Sequence, residues 1–374
     1  MSATWRRWVW VGVVGLVGCR TTGTVGGQGP DSGPRQEVHF DAETVTGSAE
    51  LAALNDEELF AGGTSAFAAR DFAQAVGYFE RLVDHHPQSP HRRAALYQAG
   101  LAHERLEQWE AAASRFSELA DAKSGTGDAL EAAFRLAETL YHLERYPDAA
   151  RLLTTLAGRE DLPVGRRLEA QVQQGVCEME TGQPEKAEAT LRRALSTYEG
   201  LSDKSEVQDY YPAQAYFFIG ELYRLRYADV TLDPGKGVDA LADDLNDKAE
   251  LLLSAQGNYL RAIRVGNGHW ATAAGTQIGS LYEDLYEKLV NSPAPRELDA
   301  EQAEVYHEEL RQKVRVLLTK AIDAYEQTLE AAERIGSHNT FVDKTRQSLE
   351  KMKALLLRDA EGTPPAPGGA RPRS

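Results

Sequence analysis

The chain has 374 residues and a formal charge of −16, with 42% hydrophobic and 26% charged residues; its mean hydropathy is −0.46 and its isoelectric point near 5.1. This is an ordinary globular composition in which size does not limit core formation. The acidic balance argues against nucleic acid as a partner, because phosphate affinity comes mainly from lysine and arginine.

Arg6 and Arg7 form a charged start, and Trp8 to Gly18 is an apolar run of eleven residues without a charge. That pattern predicts a secretion signal, and the run is too short for a hydrocarbon core that needs about 20 residues. It closes on Leu16-Val17-Gly18-Cys19, which resembles the lipobox of bacterial lipoproteins. The resemblance implies cleavage before Cys19 and acylation of its sulfur; an ordinary signal ending in cysteine, or a short hydrophobic tether, are the alternatives. Several acyl chains would hold the protein firmly, since each buried methylene contributes about 0.8 kcal/mol. In the same resemblance Asp after the lipidated cysteine retains a protein in the inner membrane; here the residue is Arg20. The expected location is the cell envelope, lipid-anchored at the outer membrane and facing the periplasm. Loss of residues 1–18 with their two arginines takes the charge from −16 to −16 − 2 = −18. Residues 20–50, with repeated Gly and with Pro30 and Pro34, read as a flexible linker. Cys177 would be the one cysteine left beside Cys19. Its setting, Val176-Cys177-Glu178-Met179, is that of a small buried hydrophobe.

From Leu51 onward apolar residues recur at three- and four-residue spacing, and strand-like alternation is absent. The fold class is therefore all-α. A unit from Asp56 to Pro87 carries Gly63, Ala75 and Phe79, and the same order returns as Gly100, Ala112 and Phe116 in a unit starting at Arg93. Ala137, Ala149 and Leu153 follow in a unit starting at Leu130, then Gly175, Ala187 and Leu191 in one starting at Leu168. These starts lie 37, 37 and 38 residues apart. The pattern resembles the tetratricopeptide repeat, in which a small residue at position 8 lets the first helix approach the second and a bulky residue at position 24 fills the space between them. The implied architecture is a helical-repeat solenoid, with repeats at 51–201. The first two units are similar to tetratricopeptide proteins of the Gram-negative envelope, among them the assembly lipoprotein BamD and the TolA-binding coordinator of cell division.

Residues 202–358 read as the same unit with elongated helices. Tyr216, Ile219, Gly220 and Tyr223 match a first helix and Ala255, Tyr259 and Ala262 a second, with Asp233-Pro234-Gly235 in an insertion. A sixth copy pairs Ile278, Gly279 and Tyr282 with Ala321 and Tyr325, on a long charged helix from about Asp299. A last amphipathic helix, about Thr340 to Leu357, would cap the stack, and residues 359–374 read as a disordered tail.

Catalytic constellations are not found. His103-Glu104 and His307-Glu308 begin like a zinc-protease helix, but Glu107 and Arg311 stand where the second histidine is required; both pairs read as solvated helix faces. His85, His86 and His91 lack the carboxylate or thiolate framework of a metal site. No phosphate loop, dinucleotide fingerprint or nucleophile elbow occurs. The expectation is no enzyme, no metal, no cofactor and no small-molecule substrate.

What remains is binding to other envelope proteins through the concave groove of the array, with Cys19 as the membrane tether. The alternative is a specific assembly factor for outer-membrane proteins or a secretin, BamD-like or pilotin-like. In the tetratricopeptide resemblance, positions 5 and 12 of the first helices face the groove. Position 5 holds Phe60, Tyr97, Phe134, Val172 and Phe217, and position 12 holds Phe67, Glu104, Tyr141, Met179 and Arg224. The candidate partner-binding residues are Phe60, Phe67, Tyr97, Phe134, Tyr141 and Phe217, with Glu104 and Glu138 disfavouring acidic partners. Packing of the same rings between adjacent first helices is the competing reading. Phe60 and Thr64 stand where a clamp for C-terminal carboxylates would need Lys and Asn.

Overall fold

The computed structural model describes residues 51–121, 127–233, 235, 237–294 and 298–360. The signal segment, Cys19, the linker and the tail from residue 361 lie outside the described residues. Among these there are thirteen helices from Asp56 onward and no strand, so the chain is an all-α helical-repeat solenoid. Contacts group it into two compact units, Met1–Arg145 and Tyr146–Ser374.

The described part of the first unit holds α1 (Asp56–Ala68), α2 (Phe72–His85), α3 (Arg92–Arg105), α4 (Trp109–Leu119) and α5 (Gly127–His142). Helix α1 starts in a capping box: the Asn55 side chain accepts from the Glu58 backbone N–H at 2.9 Å, and the Glu58 carboxylate accepts from Asn55 N–H at 2.9 Å. Asp71 caps α2 through the Gln74 N–H at 3.0 Å. Two otherwise orphaned helical donors are thus satisfied by the local sequence.

Each first helix ends in the same way. Arg70, Glu107, Glu144 and Gly182 adopt positive φ angles of 63°, 57°, 57° and 72°, 37, 37 and 38 residues apart, the spacing of the repeat starts. The next residue's N–H reaches back five residues in each case, Asp71 to Ala66, Gln108 to His103, Arg145 to Leu140 and Gln183 to Glu178, at 2.9 to 3.0 Å. This Schellman closure satisfies a terminal carbonyl and turns the chain. Glycine occupies this strained position in one of the four.

Side chains then lock the paired helices together. A Cβ added to Gly63 would lie 2.6 Å from the Phe79 ring, and one added to Gly100 2.5 Å from the Phe116 ring. Phe79 and Phe116 are fully buried, so each ring fills space that a glycine leaves open. Successive repeats are tied by polar links about one helix pair apart in sequence. Arg93 to Asp128 (2.8 Å), Arg115 to Glu80 (2.5 Å) and Thr139 to Glu104 (3.3 Å) each span 35 residues.

The second unit comprises α6 (Tyr146–Ala157), α7 (Val164–Glu180), α8 (Pro184–Glu199), α9 (Tyr210–Asp229), α10 (Val238–Val265), α11 (Gly268–Val290), α12 (Ala300–Arg334) and α13 (Thr340–Ala360). The close approach recurs here: Gly175 faces Leu191, Gly220 faces Tyr259 and Gly279 faces Tyr325. Pro212 to Leu222 is buried throughout, which makes α9 the central element of this unit. Helix α9 is also bound to α8, through Arg226 to Glu188 at 2.8 Å and Tyr223 to Glu188 at 3.2 Å. The fourth repeat and the elongated helices accordingly share one core, within the unit that begins at Tyr146.

Lys248 of α10 is fully buried, and its Nζ donates to the carbonyls of Tyr227 and Val230 at 2.6 and 2.8 Å while standing 3.8 Å from the Tyr227 ring centroid. Burial holds its pKa down to about 8. A cation at the C-terminal carbonyls of α9 satisfies groups that no helical N–H can reach. Cys177 is likewise buried, and burial pushes its thiol up, the state of an inert core residue.

Candidate interaction surface

The six aromatic residues read as one groove-lining stripe occupy two environments. Phe134, Tyr141 and Phe217 are 5%, 4% and 3% exposed. Phe217 sits against Phe218, Tyr259 and Trp270 with ring centroids 5.0 to 5.6 Å apart. These three are core residues, so of the six candidates they offer the least surface to a partner. Phe60, Phe67 and Tyr97 keep part of their surface. The Phe60 ring stacks on His91 at 4.8 Å and 12°, Phe67 meets Phe72 edge-on at 5.2 Å, and Tyr97 meets Phe116 edge-on at 5.8 Å. Each is braced by its own repeat and stays partly exposed.

Beside Tyr97 lies a charged centre shared by α3 and α5. Arg135 reaches Glu104 at 3.5 Å and Glu138 at 3.2 Å, and Thr139 donates to Glu104 at 3.3 Å. Burial is the main influence on Glu104; Arg135 opposes it and Glu138 reinforces it, and the carboxyl is raised to about 7. Burial also raises Glu138. Two carboxylates thus share one guanidinium, so the site is at most weakly anionic and one of its acids is poised near neutrality.

His103 and Glu104 do not lie on a solvated face. His103 is 7% exposed, with one ring nitrogen 2.9 Å from Glu80 and the other 2.7 Å from Gln108. Arg115 holds both oxygens of Glu80, at 2.9 and 2.5 Å. Burial pulls Glu80 upward, but hydrogen bonds from His103 and Arg115 overcome it and leave the carboxyl below its usual range. A buried charge needs such partners, so the network ties α2 to α3 and α4 as an electrostatic staple. Helical periodicity alone could not reveal this, because the partners come from the adjacent repeats.

His85 contacts Arg81 at 2.7 Å while His91 stacks on Phe60, so the histidines near Pro87 point to separate neighbours. Among the described residues no group of three or more His, Cys, Asp or Glu is placed to hold a metal, and no helix is long and apolar enough to cross a membrane. Two features of this surface, Arg135 and a ring stack, were not evident from the sequence. Arg135 had a signal, its three-residue spacing from Glu138. The parallel stack of Trp109 on His142, 3.9 Å apart at 5°, had none, since nothing local pairs residues from different repeats.

The family model of the tetratricopeptide repeat matches residues 60–129, 97–161 and 134–202. No curated protein matches the chain. Similar solved structures include a tetratricopeptide-repeat protein from Bacteroides fragilis, 14% identical over 80% of this chain and 99% of that one, with a TM-score of 0.31. A tetratricopeptide repeat protein from Parabacteroides merdae is 13% identical over 80% of this chain and 98% of that one, with a TM-score of 0.35. The apo form of RapI is 11% identical over 83% and 100%, with a TM-score of 0.43. The family match falls on residues 60–202, the stretch that carries the regular turns and the first glycine–ring pairs, and there the chain is similar to the tetratricopeptide repeat.

Proposed function

We propose that the chain is a protein–protein interaction scaffold of the bacterial cell envelope, held at the outer membrane by acylation of Cys19 and facing the periplasm. The observation that carries the binding role is the partly exposed aromatic set Phe60, Phe67 and Tyr97, braced by the first unit and bordered by the Glu104–Arg135–Glu138 centre. Braced rings with one open face bind at low entropic cost, and such aromatics are the usual anchors of protein interfaces. The anchor rests on the lipobox resemblance at Leu16 to Cys19, and the envelope partners on that location.

Phe60→Ala combined with Tyr97→Ala tests the binding role. Each residue keeps a solvent-facing edge, so partner capture from envelope membranes falls while helical content is retained. If capture is unchanged, the surface lies elsewhere on the repeats.

A further inference from the structure

One face of α10 is uncovered along its whole length. Residues Asp239, Asp243, Asn246, Glu250, Leu253, Gly257, Leu260 and Arg264 follow each other at alternating spacings of four and three, which places them on one stripe of a helix. All are exposed except the partly exposed Gly257. Leu253 is 59% exposed and Leu260 38%, whereas the opposite stripe, with Leu252, Ala255, Tyr259 and Ala262, is buried in the unit. A Cβ built on Gly257 meets nothing within 4 Å, so the backbone there is open to close approach.

Charge along the stripe is polar in the directional sense. Its N-terminal half is acidic and ends at Glu250; beyond the two leucines it ends at Arg264. Glu250 and Arg264 lie fourteen residues apart, about 21 Å along the helix, too far to meet within one copy. Neither makes an ion pair among the described residues.

We propose that this stripe pairs antiparallel with the same stripe of a second copy, about a two-fold axis at Gly257. In that arrangement Glu250 of each copy faces Arg264 of the other, Leu253 lies beside the second Leu260, and the glycines permit contact at the axis. A parallel pairing would set Glu250 against Glu250 and is disfavoured by the same charges. The self-complementarity is that of an isologous interface. A contact confined to one helix of each copy is smaller than the roughly 800 Å² per partner of a standard stable interface, so the dimer is weak and depends on protein concentration.

The full chain in detergent provides the test, by sedimentation over a concentration series and by oxidative trapping. Gly257→Cys should form a reducible dimer at least about tenfold faster than Lys313→Cys, a more exposed site on α12, or than the parent with its buried Cys177. Glu250→Arg and Arg264→Glu should each weaken self-association by about three- to tenfold, because each replaces two attractive pairs by two repulsive ones, and the double exchange should restore it. Equal trapping at residues 257 and 313, or a double exchange no better than the single ones, overturns the proposal.

Discussion

The close approach of α3 to α4 offers a quantitative test of how the repeats are built. In Gly100→Ala the new Cβ would stand 2.5, 2.7 and 2.9 Å from Cε1, Cζ and Cδ1 of Phe116, and the ring, fully buried, has no open direction in which to retreat. Overpacking of this kind costs about 1–3 kcal/mol, offset by up to about 1 kcal/mol because alanine favours a helix interior over glycine. The expected net loss is about 1–2 kcal/mol. Phe116→Leu alone leaves a partial cavity and costs a fraction of the about 3–5 kcal/mol of a full truncation to alanine. Together the two changes recreate the residue pair that the third repeat carries at the same positions, Ala137 and Leu153, and the smaller side chain makes room for the added methyl group. The double variant should therefore lose less than the sum, with a coupling of about 1 kcal/mol or more. Urea denaturation of the four proteins, with hydrogen exchange followed over residues 92–119, measures it. Losses that add within about 0.3 kcal/mol would refute the idea that glycine and ring share one space.

Other expectations follow from particular groups. A carboxyl raised in the folded state binds its proton more tightly there, so the stabilising contribution of Glu104 is complete below its unfolded value of 4.5 and is lost as pH rises through about 7. Glu104→Gln should remove that loss, up to about 3 kcal/mol, raising the melting temperature at pH 8 more than at pH 4.5; an equal effect at both would show that its proton is not involved. Glu107 holds a φ of 57° at a helix end, and Glu107→Gly should raise stability by up to about 1 kcal/mol through relief of this left-handed conformation, read by urea denaturation; a loss would mean that its side chain matters more than its backbone. Cys19→Ala should shift the protein from the membrane to the soluble fraction, and retention like that of the parent would assign the anchor to partner contacts.

Much of the fold was legible because its signals are local and repeated. Gly63 with Phe79 and Gly100 with Phe116 mark two helices that must nearly touch, and Asp299 with Gln302 marks the start of α12 by a capping box. The repeated turn was hidden, since Arg70, Glu107 and Glu144 are not residues that announce a positive φ. The surface was less legible. Phe60 and Phe134 hold the same repeat position, yet one is partly exposed and the other buried, a difference set by neighbours from other repeats and not by spacing on their own helices. For the same reason His103 and Glu104 read as solvated although Glu80, Arg115 and Arg135 enclose them, and Lys248 gave no hint that it would close the end of α9.

The proposed role of the aromatic face of the first unit is to capture envelope proteins at a membrane. A photoreactive amino acid placed at Thr64, an exposed α1 position one turn from Phe60 and Phe67, tests it in intact cells expressing the full chain. Light should trap one or a few recurrent envelope proteins, and Phe60→Ala with Tyr97→Ala should abolish the adducts while the protein stays folded and membrane-bound. Adducts that persist in that variant, or none above those formed from an exposed α12 position such as Lys313, would contradict it.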